Sequence, residues 1–307
     1  MREEFMETNP LVHIILINYN GYEDTVECIE SIKKGSYKNY KIVIVDNASP
    51  DNSGILIKDK YINNENVHVI LNKENNGFSA GNNKGLQYAL KDNTDYVLLL
   101  NNDTLVESDF LEILVHRAVV KNINALYTGK ILYNFDHQKI WFAGGEYNLK
   151  KGTATHIGIN TLDGINYDKE KRIEFICGCC IFMSRESCLK MGKLPEEYFL
   201  YGEDLAYSLE AQRKNIQMFY IPEARVYHKV SSATSKISEL AQYYIIRNRF
   251  YIIKKYHCGI NKIFSMIFSM LWCAKRIKRG EFSIKIVKDA LHDFKYSQMG
   301  RKNENKN

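Results

Sequence analysis

Along the first hundred residues, short apolar runs alternate with polar stretches. Val12 to Ile17 is apolar except for His13 and stops at Asn18-Tyr19-Asn20-Gly21, and Ile42 to Val45 stops at Asp46-Asn47. Val67 to Leu71 is followed by the polar stretch Asn72 to Gly77, and Tyr96 to Leu100 runs straight into Asn101-Asn102-Asp103. Apolar runs of this length bounded by turn formers predict strands buried on both faces. Between them, Val26, Ile29 and Ile32 recur at helical spacing up to Gly35, and a helix is predicted from about Ser79 to Leu90. Strands and helices alternating in this way indicate βαβ units around a parallel sheet, an α/β fold.

The pattern continues with a helix predicted over Phe110 to Lys121, then loosens. Tyr133 to Arg172 holds Trp141 and Gly144, Gly145, Gly152, Gly158 and Gly164 without a clear period, and reads as loops and short strands that could shape a pocket. A strand is predicted for Phe175 to Met183, a short helix ending near Gly192 and Pro195, a helix from Glu203-Asp204 to Lys214, and a last strand from Ile221 to His228. Lys229 to Lys236 reads as a linker. Helices are predicted for Ile237 to Tyr256, Asn261 to Lys278 and Ser283 to Gln298. The expected organisation is a body over 1–230, with halves of about 11–104 and 105–230, a basic helical extension over 231–300, and a disordered tail at 301–307.

Composition changes this picture little, and charge changes it more. With 45% hydrophobic and 25% charged residues over 307 positions, the chain has what a sizeable core requires. The net charge of +6 is unevenly placed: from Leu240 onward there are 15 Lys or Arg against 4 Asp or Glu, and before it 27 against 32. A basic end on an acidic body points to an anionic partner, a membrane surface or nucleic acid. The segment Asn261 to Lys278 sets Ile263, Phe264, Met266, Ile267, Phe268, Met270, Leu271 and Trp272 beside Lys275, Arg276, Lys278 and Arg279. That suits a helix lying in the interface of an anionic membrane with Trp272, Phe268 and Leu271 immersed, and equally a helix packed on the body. Basic residues that share their helices with large apolar ones disfavour a nucleic-acid arm. The longest apolar stretch, Ile263 to Ala274, is short of the ~20 residues that cross a bilayer. Met1-Arg2-Glu3-Glu4 is too acidic for a signal peptide. Seven cysteines, scattered except for Cys177, Cys179 and Cys180, argue against a disulfide framework, and Cys177-x-x-Cys180 has no second pair for zinc. The expected location is the cytoplasm, with room for peripheral attachment to the inner face of the cell membrane.

The candidate chemistry lies at the strand ends. Asn18 and Asn20, Asp46 and Asn47, Asn76-Gly77-Phe78 with Asn82 and Asn83, and Asn102-Asp103 would share one edge of the sheet, where ligands of open α/β folds bind. Neither a dinucleotide nor a P-loop glycine motif follows the first strand. Asp46 could accept from the base N–H that uracil or thymine offers, or be a turn residue before a helix. Asp103 could hold a ligand or cap a loop.

Six segments, in order between Val12 and Lys255, resemble the inverting nucleotide-sugar glycosyltransferases of the GT-A fold, especially the bacterial rhamnosyltransferase-like members of family 2. They are Ile17-Asn18-Tyr19-Asn20-Gly21, Val45-Asp46-Asn47-Ala48-Ser49, Asn76 to Asn83, Leu99-Leu100-Asn101-Asn102-Asp103-Thr104, Tyr201-Gly202-Glu203-Asp204 and Val226-Tyr227-His228. The resemblance implies a Rossmann-like, mostly parallel sheet with flanking helices. It implies that Asp46 binds the donor's pyrimidine, that Asn18 and Asn83 line the nucleotide, that Asp103 and His228 hold Mg²⁺ or Mn²⁺, and that Asp204 is the catalytic base. Asn101 stands where the first Asp of the family's D-x-D would be, leaving Asp103 its sole carboxylate. The physical case runs in parallel. A hard cation neutralises charge growing on a departing diphosphate, and mixed carboxylate, imidazole and phosphate ligation suits Mg²⁺ or Mn²⁺. An acceptor hydroxyl needs a carboxylate to take its proton, and at a helix start the dipole would keep Asp204 ionised, with neighbouring Glu203 as the other candidate. The expected reaction moves one sugar from a nucleoside diphosphate sugar, dTDP-rhamnose or a UDP-hexose, to a hydroxyl of a growing, lipid-linked cell-surface glycan. The alternative is a catalytically silent nucleotide-sugar or glycan binder on the same fold.

Overall fold

The computed structural model describes residues 9–230 and 238–302; most of the expected linker, the acidic start at 1–8 and the tail from 303 lie outside them. Four strands form where the apolar runs predict them: β1 (Val12–Asn18), β2 (Tyr40–Asp46), β3 (Val67–Leu71) and β4 (Tyr96–Asn101). Between them run α1 (Tyr22–Lys33), α2 (Ser53–Lys60) and α3 (Phe78–Lys91). All pairings among these strands are parallel, with β1 between β2 and β4 and β3 outside β2. The chain thus steps outward from β1 to β3 and returns to the far side of β1. A crevice opens at such a reversal, above the carboxyl ends of the strands. Helix α2 has no counterpart among the predicted helices, because it buries only Ser53, Gly54 and Ile57.

The second half extends this sheet. β5 (Thr104–Val106) and α4 (Phe110–Lys121) lead to β6 (Ala125–Tyr133) and β7 (Asp136–Phe142), then to a hairpin of β8 (Gly145–Asn148) and β9 (Thr153–His156) and the short β10 (Lys171–Arg172). β11 (Cys180–Ser184), α5 (Arg185–Met191), α6 (Glu203–Arg213) and β12 (Gln217–His228) complete it, in the order β3-β2-β1-β4-β11-β6-β12-β10. Only β11 runs antiparallel inside the row from β3 to β12, between β4 and β6. The sheet is therefore mostly parallel, as expected. β6 is buried at every residue although the sequence pattern does not reveal it. Its middle, Thr128-Gly129-Lys130, breaks the apolar run, and the buried Lys130 ammonium is paired with Asp163 and Asp168 at 2.7 and 2.6 Å.

Two expectations need correction. The strand predicted over Phe175 to Met183 is confined to β11, because the preceding amides are recruited elsewhere: Ile176 N donates to Ser208 Oγ and Gly178 N to Asp204 Oδ2. The tail expected to be disordered from 301 is docked at its start, where Lys302 N donates to Tyr244 Oη at 2.8 Å.

The C-terminal extension is three helices, α7 (Glu239–Tyr256), α8 (Gly259–Lys278) and α9 (Ile284–Lys295). Tyr243, Tyr244 and Phe250 of α7 share a core with Ile286, Val287 and Ala290 of α9, and Phe199 and Leu200 of the body pack against it. Arg247, only 1% exposed, donates to the Gly300 carbonyl at 2.9 Å and so fixes the chain end beside the body. Of the three residues of α8 expected to be immersed, Leu271 is exposed, whereas Phe268 and Trp272 are partly covered. Trp272 meets the Phe282 ring edge-on at 5.1 Å with the Arg249 guanidinium 4.9 Å from its centroid, and Phe268 lies beside Lys151 and Arg249. Among the described residues, no helix is long and apolar enough to cross a membrane.

Candidate active site

At the sheet reversal, the ends of β1, β2 and β4 and the start of α3 border a cleft of about 490 Å³. Its walls include Tyr19, Asn20, Asn47, Gly77, Phe78, Asn102 and Asp103 on one side and Phe199, Leu200, Tyr244, Arg301 and Lys302 on the other. Gly77 is the point of closest approach. With φ at +90° it brings the start of α3 against the body, where a Cβ would collide with the Phe199 carbonyl and where Phe78 N donates to that oxygen at 3.3 Å.

Asn102 and Asp103 form the turn joining β4 to β5. Because β5 pairs antiparallel with the end of β12, with Thr104 opposite His228, the histidine is carried next to the turn. Its Nε2 lies 3.1 Å from Asp103 Oδ1. Burial alone would push the Asp103 carboxyl up, but the hydrogen bond and charge of His228, its own backbone amide and Lys229 outweigh it and hold it below the ordinary value. A group so depressed stabilises the fold above its unfolded pKa, and that contribution disappears as pH falls through the lowered value. The donor set fits a hard divalent cation: one carboxylate and one imidazole, at the separation of adjacent ligands on an octahedral ion with bonds of roughly 2.1 Å. Among the described residues His228 Nδ1 has no hydrogen-bond partner, and the ring is held by Trp141, edge-on at 4.6 Å.

The polar residues expected along this edge divide into two groups. Asn20, Asn47, Gly77, Phe78 and Asn102 line the cleft. Asn18 and Asp46 stand behind it: Asn18 Nδ2 and Ser49 Oγ donate to Asp46 Oδ1 at 2.7 and 2.6 Å, and Ser49 N donates to Oδ2 at 3.0 Å. In this conformation Asp46 is buried and three of the roughly four acceptor positions of its carboxylate are taken, so burial more than saturation bars a base N–H, and receiving one requires the Ser49 loop to yield. Asn83, expected along the nucleotide, faces the other way. Its Nδ2 donates to the Leu194 carbonyl and Glu196 Oε1 and its Oδ1 accepts from Leu194 N, which ties α3 to the loop after α5. Asn82 donates to the Phe78 carbonyl, and Asn76 lies on the rim of the neighbouring hollow that Asn83 also lines. Asn82 and Asn83 make structural contacts in this arrangement, because their positions about one turn into α3 turn the amides away from the cleft, and Asn76 is not among the residues that line it.

Asp204 opens α6 behind Phe78. A Cβ placed on Gly178 would touch both the Phe78 ring and Asp204 Cβ at 3.4 Å, so all three are neighbours. Asp204 accepts from Gly178 N at 3.3 Å and from Leu205 N at 2.8 Å. Glu203 is 8% exposed, with Oε2 unpartnered among the described residues. Contrary to the helix-dipole expectation, burial raises the carboxyl pKa of Asp204; burial and then the charge of Asp204 raise that of Glu203. The loop bearing them is strained at Tyr201, a non-glycine residue with φ of +64°. Asn248 of α7 holds it, donating to the carbonyls of Leu200 and Tyr201 at 3.0 and 2.6 Å. Asn248→Ala is expected to cost about 1–3 kcal/mol of stability by orphaning these acceptors. It should also lower kcat while leaving nucleoside diphosphate affinity near wild type, which urea melts, turnover and calorimetry together would check.

Sequence reasoning missed Tyr19, Asn75, Phe199, Leu200 and Tyr244, and the cations Arg301 and Lys302. Tyr19 lies inside a segment already singled out, and Asn75, Phe199 and Leu200 adjoin such segments, so widening those by a residue or two finds them. The last three come from the extension, and nothing local announces that it reaches the cleft.

The family model for glycosyl transferase family 2 matches residues 13–192. The dTDP-rhamnosyl transferase RfbF of Shigella flexneri is 23% identical over 292 residues, covering 91% of this chain and 94% of that protein. The low-salt glycan biosynthesis hexosyltransferase Agl10 of Haloferax volcanii is 25% identical over 296 residues, covering 91% and 89%. The solved structure of GalNAc-T7 with UDP, GalNAc and Mn2+ shares the fold at a TM-score of 0.61 and 15% identity; it covers 94% of this chain, which spans 58% of the GalNAc-T7 chain. A cleft at the strand ends, a mostly parallel sheet of the GT-A kind and a family match over more than half of the chain agree: this chain belongs to glycosyl transferase family 2.

Proposed function

We propose that the protein is an inverting, metal-dependent hexosyltransferase that moves one sugar from dTDP-rhamnose or a UDP-hexose to a hydroxyl of a growing, lipid-linked glycan at the inner face of the cell membrane. The observation that carries the reading is the pairing of Asp103, which lines the cleft, with the buried His228 beside it, and the Asp204 loop standing behind Phe78. Asp103 and His228 would hold Mg²⁺ or Mn²⁺, and the ion, when bound, neutralises the charge that builds on the leaving diphosphate. Asn20, Asn47, Gly77 and Asn102 line the donor's path, and Phe78 and Phe199 keep water from the anomeric carbon. In a single displacement, the acceptor oxygen bonds to that carbon as the bond to the diphosphate breaks, and Asp204 takes the hydroxyl proton. With its carboxyl raised by burial and by Asp204, Glu203 favours the protonated form and leaves the base role to its neighbour. RfbF, named for dTDP-rhamnosyl transfer and matched over nearly its whole length, supports the choice of donor class.

A silent binder remains the second reading, favoured by the single specific observation that Asn101 replaces the first carboxylate of D-x-D. The test is a panel of nucleotide sugars with and without Mn²⁺, read by thermal unfolding. A ligand at 100 times its dissociation constant stabilises by about 2.7 kcal/mol, which is well resolved. One donor class should stabilise the protein, and only with the metal. No stabilisation by any nucleotide sugar would end the reading, while stabilisation without turnover on any acceptor would favour the binder.

A further inference from the structure

Helix α8 is amphipathic the wrong way round for a helix packed by its apolar face. It turns Ser265, Ser269 and Cys273 inward, where Ser269 Oγ accepts from Arg249 Nε at 2.7 Å and Ser265 Oγ lies 2.8 Å from His257 Nδ1. Outward it presents Ile260, Ile263, Phe264, Ile267, Met270 and Leu271, all 50–65% exposed. Their spacing of three and four residues puts them on one continuous stripe three turns long. Exposed apolar side chains on soluble proteins are ordinarily scattered singly, and a contiguous stripe marks a surface that something covers.

Charge identifies the occupant. The helix contains no Asp or Glu, and its last turn carries Lys275, Arg276 and Lys278. Arg276 is paired with Glu281, whereas Lys275 and Lys278 have no ion pair among the described residues, and Lys278 continues the line of the stripe. Exposed Lys285 and Lys288 follow in α9 beside exposed Ile284. An apolar stripe ending in unpaired lysines matches a surface that is apolar below and anionic above. We propose that α8 lies flat in the headgroup region of an anionic membrane, with the Ile263–Leu271 stripe immersed and Lys275 and Lys278 on the lipid phosphates. The stripe, and not the expected Trp272, makes the contact, and the proposal stands on this face alone, independent of the transfer chemistry.

The test is co-sedimentation of the full chain with vesicles of phosphatidylcholine, and of phosphatidylcholine with 30% phosphatidylglycerol taken as a representative anionic content. Wild type should bind the anionic vesicles and bind them less in high salt. Ile263→Ser/Ile267→Ser/Leu271→Ser should lower partitioning by at least tenfold at unchanged melting temperature, since these side chains already face water. Lys275→Gln/Lys278→Gln should weaken binding less and flatten its salt dependence. Wild type that ignores anionic vesicles, or a triple serine variant that binds them as wild type does, would overturn the proposal. So would a wild-type dimer in sedimentation velocity that the triple variant converts to monomer, because the stripe would then be covered by a second copy of this chain.

Discussion

Replacing Asp204 by asparagine is expected to lower transfer by about 10²–10⁴-fold while leaving donor affinity near wild type, because a base acts on the acceptor and not on the nucleotide. The variant keeps the shape of the side chain at the start of α6 and can keep its oxygen facing Gly178 N while giving up the contact from the adjacent Leu205 N, so the loop should hold its place. Its wild-type counterpart gives a second handle. Since burial raises the Asp204 carboxyl, the acid limb of the kcat profile should sit above the ordinary carboxylate range of about 4, and activity should rise with pH as that group loses its proton. A residual rate in Asp204→Asn should lack that limb. If Asp204→Asn turned over normally while Glu203→Gln was inactive, the two roles would exchange.

Removing Asp103 should act on the other substrate. Asp103→Ala is expected to abolish metal-dependent donor binding, with a loss at least as large as the roughly 10–100-fold that removal of a mere outer-shell partner costs. Among the described residues, Asp103 and His228 are the pair proposed to hold the ion, so the truncation would halve that share of the donor set. Calorimetric titration of nucleoside diphosphate with and without Mn²⁺ would show it. Unchanged affinity with unchanged metal dependence would remove Asp103 from the site.

The first half of the fold is legible because β1, β2 and β4, buried on both faces of a parallel sheet, read as nearly unbroken apolar runs, and each ends in polar residues at the crevice. The position of Asp103 follows from that alone. Its meeting with His228 does not, since it depends on the pairing of β5 with β12 across more than a hundred residues. β6 escapes notice for a similar reason: Lys130 looks like a surface residue until Asp163 and Asp168 arrive from a distant loop. Periodicity shows that α8 has an apolar face but not which way it turns, because the inward side is decided by partners such as Arg249 and His257 on another segment. The same limit applies to Asn83. An asparagine in a nucleotide-sugar motif suggests a ligand contact, and only the loop at Leu194 shows that both ends of its amide are already engaged. Arg301 and Lys302 are invisible as cleft residues until buried Arg247 fixes the chain end that carries them.

A nucleoside diphosphate site closed by an ion held between Asp103 and His228 has a spectroscopic signature. Pulsed electron paramagnetic resonance of Mn²⁺ bound to the protein with dTDP or UDP measures this directly. Both a phosphorus coupling from the diphosphate and a nitrogen coupling from an imidazole are expected, the latter lost in His228→Gln. A spectrum with phosphorus coupling but no protein nitrogen, unaltered by His228→Gln and by Asp103→Ala, would contradict it.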